Sequence, residues 1–156
     1  IGDIYTLSFG LIKDMQTSLE SETFGFDEQV EFLKRCLKER NIKNLKLANY
    51  PLDSFIRGFI YLQESLKQLL ENEIELLSNT DISAEEEMAM VDSEGVSLFA
   101  GLGVYLQLRL LAGNDVNKIE EVRKQTYETC FLELYTRKKE NEYQKNLNRI
   151  YNRKNK

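Results

Sequence analysis

Eight cations crowd residues 137–156: Arg137, Lys138, Lys139, Lys145, Arg149, Arg153, Lys154 and Lys156. Against Glu140 and Glu142 they leave the stretch at +6. Tyr135, Tyr143 and Tyr151 interleave with them. Cations beside aromatic rings suit phosphates and unstacked bases. The same pattern suits an amphipathic arm docked on a protein, and cations are favoured at any helix C-terminus by the macrodipole. Tyr143, Leu147 and Ile150 fall on one helix face, with Lys139, Arg149 and Arg153 mostly off it. Arg137, Lys138, Lys139, Lys145, Arg149 and Arg153 are therefore the candidate contacts to a protein partner or to nucleic acid. An electrostatic mate lies upstream. Residues 81–95 carry Asp81, Glu85, Glu86, Glu87, Asp92 and Glu94 with no base, a net of −6, available to the tail within the chain or across a dimer.

A second candidate is apolar. Residues 96–112 (VSLFAGLGVYLQLRLLA) hold a single charge, Arg109. Ser97, Ala100, Gly101 and Gly103 make part of this run small, which lets another helix approach closely. The alternative is a cavity for an apolar ligand, lined by Phe99, Gly101, Leu102, Gly103, Tyr105 and Leu106. As a membrane span the run is at the short limit and lacks flanking aromatic or basic anchors. A helix apolar all round belongs in a core.

Other chemistry is thinly represented. The chain has no His, which removes Ser-His and Cys-His catalysis, His-bound zinc and haem held through His. Gly101-x-Gly103 lacks the third glycine of a dinucleotide fingerprint, Gly95-Val-Ser97 is no nucleophile elbow, and there is no Walker A sequence. Glu85, Glu86 and Glu87 point in different directions around a helix, so they read as a solvated helix start, not as a Mg²⁺ or Ca²⁺ site. Asp92–Gly95 is a fragment of an EF-hand loop without its remaining ligands. Glu28 and Glu31 have the spacing of helical hydrolase carboxylates once, without a second pair. Cys36 and Cys130 are too far apart for a zinc or disulfide framework and read as reduced, partly buried thiols. No catalytic residue, metal or cofactor is assigned, and a non-enzymatic role is expected.

Helices must position these groups. Asp3 can cap a helix over about Ile4–Ser21, with Ile4, Leu7, Leu11, Met15 and Leu19 as its stripe. Phe24-Gly25-Phe26 breaks it, and Asp27 caps a second to about Arg40. Residues 42–49 are a short extended piece or a helical turn. Pro51 opens a long third helix to Leu77, striped by Leu52, Phe55, Phe59, Leu62, Leu66, Leu69 and Leu70. Ser83-Ala84-Glu85-Glu86 is a capping box for a fourth, interrupted at Asp92–Gly95 before the apolar run. Gly113-Asn114 stops that run with residues suited to a left-handed cap. A last helix starts near Asp115–Asn117 and extends to about Tyr151. Its seam is Ile119, Val122, Thr126, Cys130 and Leu134, which weakens and recovers as Tyr143, Leu147 and Ile150.

These elements predict an all-α bundle of five to six helices around a central helix at about 96–112, as one domain over residues 1–156 with 137–156 a basic C-terminal arm. With 156 residues, 42% hydrophobic and 30% charged, the chain is long enough for a core. A pI near 5.0 argues against whole-surface attraction to nucleic acid. No signal-peptide pattern is present, and the free thiols suggest a cytoplasmic protein. The start at Ile1 leaves room for a preceding segment. The expected role is a regulatory or protein–protein interaction module that dimerises through its C-terminal helices. An apolar-ligand sensor and a nucleic-acid binder are the alternatives.

Overall fold

The computed structural model describes residues 4–19, 25–40, 42, 51–77 and 102–154. They form an all-α bundle. Its helices are α1 (Phe9–Leu19), α2 (Phe26–Glu39), α3 (Leu52–Leu77), α4 (Gly103–Leu111), α5 (Ile119–Lys124) and α6 (Tyr127–Lys154). Short 3₁₀ turns at Ile4–Thr6 and Val116–Lys118 precede α1 and α5.

The core is centred on α1. Seven of its eleven residues are buried, Lys13 and Gln16 among them, and it packs against α2, α3, α5 and α6. Phe9, Leu11, Ile12 and Met15 cover so much of its circumference that little is left for water. Leu62, Leu66 and Leu69 of α3 join it from the stripe the sequence predicts, as do Val122, Cys130 and Leu134. At Gly10 the backbone of α1 lies close against α5. A β-carbon on Gly10 would sit 3.0 Å from Arg123 Cβ and 3.1 Å from its carbonyl oxygen, so glycine is what lets the two helices meet. Asp14 then ties three elements together, accepting from Arg35 of α2 at 2.9 Å and from Arg123 of α5 at 2.9 Å.

Two expected helices are shorter than their hydrophobic periodicity suggests, for one shared reason. Ser8 and Thr126 form an antiparallel bridge. The Phe9 N–H donates to the Gln125 carbonyl at 2.7 Å and the Tyr127 N–H to the Leu7 carbonyl at 2.8 Å. That pairing draws both segments out of helical geometry, with Gln125 extended at φ −69°, ψ 157°. The first helix therefore begins at Phe9, and the last is split into α5 and α6. Side chains cap the new ends: Ser8 Oγ accepts from the Leu11 N–H at 3.3 Å and Thr126 Oγ1 from the Thr129 N–H at 3.4 Å. α2 is capped by Gly25 and not by Asp27. The Glu28 carboxylate accepts from the Gly25 N–H at 3.1 Å.

The apolar run is seen only in part. Residues 78–101, with the acidic stretch and the capping box, lie outside the described residues. In the visible part Leu108 and Ala112 are buried, while Leu102, Tyr105 and Leu110 are exposed. α4 packs against α5 and α6. Gly113 and Asn114 both take φ of 65°, the left-handed stop expected of them. No described helix is long and apolar enough to cross a membrane.

Candidate functional site: the two sides of the last helix

The predicted basic arm divides into cations tied to helix ends and cations exposed on the surface of α6. Arg137 donates through Nε to Glu133 at 2.6 Å and through Nη1 to the Leu110 carbonyl at 2.7 Å. Lys138 Nζ donates to the Leu76 carbonyl at 2.9 Å. Leu110 and Leu76 stand in the last turns of α4 and α3, where the dipole favours a cation; the Leu110 carbonyl also accepts from the Gly113 N–H at 3.1 Å. These two residues therefore knit α6 to the ends of its neighbours. Lys139 pairs with Glu142 at 2.8 Å on the surface and lies over the Tyr135 ring at 5.5 Å. The hydrogen bond between them raises the Lys139 pKa and lowers that of Glu142. Lys145, Arg149 and Arg153 are exposed on the outer half of α6.

The hydrophobic seam does not resume on the side it left. Leu134 and Tyr143 are nine positions apart, and at about 100° per residue that is two and a half turns. Leu134 is 7% exposed; Tyr143 and Tyr151 are each 60% exposed and Ile150 51%. The distal apolar stripe thus faces away from the bundle. The bundle-facing side of the same half is polar. With α3 and α4 it forms a cleft of about 690 Å³. Leu77, Leu110 and Leu134 supply its apolar wall, and Asn141, Gln144, Asn146 and Asn148 its carboxamides. Arg137, Lys138, Lys145 and Arg149 line it as well, so four of the six predicted contact cations meet at one place.

A buried polar cluster lies in the core, and the sequence reading missed it. Lys13 Nζ contacts both Glu73 oxygens at 2.6 and 2.7 Å, and Gln16 Nε2 donates to Glu73 at 3.3 Å. All three residues are buried. Lys13 also lies over the Phe9 ring at 5.4 Å. Tyr127 stacks on Phe9 and Phe131. Its buried hydroxyl faces Glu73 outside good hydrogen-bond geometry. Burial, then the Glu73 charge, pushes the Tyr127 pKa far above the usual phenol. A signal was present: Glu73 continues the stripe of Leu62, Leu66 and Leu69 at i+4, so it had to meet something in the core. The cluster makes an ion pair between α1 and α3.

A smaller cleft of about 350 Å³ lies beside the bridge, lined by Ser8, Glu39, Arg40 and Lys124 among others. The Ser8 hydroxyl donates to Glu39 at 2.6 Å and its N–H at 2.8 Å. This carboxylate serves the start of α1, where the dipole favours an anion.

Of the predicted apolar pocket, Phe99 and Gly101 lie outside the described residues. Leu102, Gly103 and Tyr105 are exposed and Leu106 half-buried. A β-carbon on Gly103 would meet nothing within 4 Å, and neither cleft is lined by these residues. Cys36 and Cys130 are buried and free. Burial pushes each thiol up to about 11, away from the thiolate a nucleophile needs. Among the described residues no group of three or more Cys, Asp or Glu is placed to hold a metal ion.

Comparison with known proteins adds no relative: no family model, no curated protein and no solved structure matches this chain.

Proposed function

We propose that this chain is a non-enzymatic interaction module that self-associates through the distal half of α6. The observation behind this reading is the apolar stripe of Tyr143, Leu147 and Ile150, with Tyr143 and Ile150 exposed, Leu147 half-buried between them and Tyr151 exposed beside them. Its exposed members stand on the side of the helix opposite Leu134. A second copy of the same stripe buries these side chains at both faces and closes the contact on a two-fold axis. Lys139 and Arg153 on the flank confer salt sensitivity on the encounter. Sedimentation over a wide concentration range tests the reading. The wild-type chain is expected to shift from monomer to dimer, and Leu147→Glu with Ile150→Glu to hold it monomeric with an unchanged helical spectrum. A wild-type chain that stays monomeric at the highest concentrations sinks it.

A second reading has its own observation. Lys145, Arg149 and Arg153 repeat at i+4 on the outer half of α6, and a cation row can track a phosphate backbone. Binding of a duplex or single strand that weakens steeply with salt, and vanishes on charge reversal of the three, is what this reading requires.

A further inference from the structure

We propose that two copies of this chain pair their α6 helices antiparallel, about a two-fold axis at Asn141. Leu132 then meets the partner's Ile150, and Glu128 lies beside the partner's Arg153. The proposal rests on the self-association reading and deepens it: the contact extends from the distal half of α6 to its first turns, and its direction is fixed.

The exposed face of α6 is longer than the distal stripe. Leu132 is 56% exposed; two residues before Leu134, it stands about 200° round the helix from it. Leu132, Thr136, Lys139, Tyr143 and Ile150 follow at intervals of four, three, four and seven, and all are exposed. That is the spacing of a seam between two helices. From Leu132 to Ile150 the seam rises roughly 27 Å. Leu132 and Ile150 stand nine positions either side of Asn141, and Lys139 and Tyr143 two either side. An antiparallel pair covers each leucine with an isoleucine and lays each Lys139 against a Tyr143 ring.

Charge sets the direction. Residues 127–136 carry Glu128 and Glu133 and no base, whereas residues 143–154 carry Lys145, Arg149, Arg153 and Lys154 and no acid. The helix thus begins acidic and ends basic. A parallel pair would set Lys139 on Lys139 and Arg153 on Arg153. The antiparallel pair brings opposite charges together at both ends. Glu128 and Arg153 stand thirteen and twelve positions from Asn141, and both are exposed. Among the described residues neither has an ion-pair partner in its own chain.

Crosslinking of the full chain tests the direction. A short bismaleimide is added to Leu132→Cys, to Ile150→Cys and to their mixture. The wild-type chain is the control, because Cys36 and Cys130 are buried. A covalent dimer is expected from the mixture alone, since like positions lie roughly 27 Å apart in the antiparallel pair. Covalent dimers from either variant by itself overturn the proposal, as does none from the mixture while the variants sediment as dimers. Both results leave self-association standing. A wild-type chain that stays monomeric at the highest concentrations sinks both readings. Charge reversal gives an answer independent of the cysteines, and decides if either cysteine variant fails to associate. Glu128→Arg and Arg153→Glu should each weaken dimerisation about tenfold, because the two-fold repeats the lost pair. Combined in one chain, they should return it close to wild type. A double variant that associates no better than the single ones overturns the proposal.

Discussion

Lys13 and Glu73 show how a charge survives in this core. Each is buried, and each satisfies the other at hydrogen-bond distance with Gln16 completing the carboxylate. Desolvating two ions offsets most of their attraction, so the pair stabilises little in total, while removing one partner strands the other. Glu73→Leu alone is expected to cost about 3–5 kcal/mol in urea unfolding. Lys13→Met combined with Glu73→Leu should recover most of that loss, as a double-mutant cycle would show. The two thiols make a second residue-level prediction. Their ordinary value is 9.0, and burial raises both to about 11. Below pH 9 neither state ionises and their full contribution is present. Between pH 9 and 11 the unfolded chain loses these protons and the folded chain keeps them, so stability falls as pH rises. Unfolding midpoints measured across that range should decline, and less steeply for Cys36→Ala with Cys130→Ala. Equal slopes for the two proteins would contradict the burial.

At the scale of elements, the ends of helices carry most of the information. The bridge between Ser8 and Thr126 interrupts two helices whose apolar periodicity alone runs straight through. The gain is a pair of backbone hydrogen bonds joining residues more than a hundred positions apart. At the far end of the bundle, Arg137 and Lys138 donate to carbonyls in the last turns of α4 and α3. Arg137→Gln and Lys138→Met should each cost about 1 kcal/mol, the worth of a charge-assisted bond to a helix end. Lys139→Gln, on the surface, should leave the unfolding curve where it is. Equal losses at all three positions would mean that the carbonyl contacts contribute nothing.

At the scale of the molecule, the last buried residue among those described is Leu134, and α6 continues for twenty residues beyond it. At about 1.5 Å per residue that is roughly 30 Å of helix. It carries an apolar stripe outward and a polar, basic face toward the cleft. A chain ending at Glu142 keeps every residue found buried among those described, and both helix-end cations. It should melt within a few degrees of the full protein and, on the proposed self-association, remain monomeric at concentrations where the full protein is expected to dimerise. A large drop in melting temperature on this truncation would assign the outer half of α6 to the core instead.

Much of the fold is legible in the residues themselves. The stripe of α3, the stop at Gly113-Asn114 and the all-helical class follow from periodicity and backbone preference, which act within a few residues. The basic arm was visible as a run of charge, and its gathering at one cleft follows from the helix it rides on. Tertiary contact decided the rest. Nothing local distinguishes Arg137 and Lys138, turned to carbonyls of other helices, from Arg153, exposed near the end of α6. Nothing local says that Lys13 will meet Glu73, because that partner is sixty residues away. The seam at Tyr143 looks from its composition like a continuation of Leu134; only the position of the other helices makes one side of α6 core and the opposite side surface. Local sequence sets which faces are apolar and where helices can end, and packing sets which of those faces is covered.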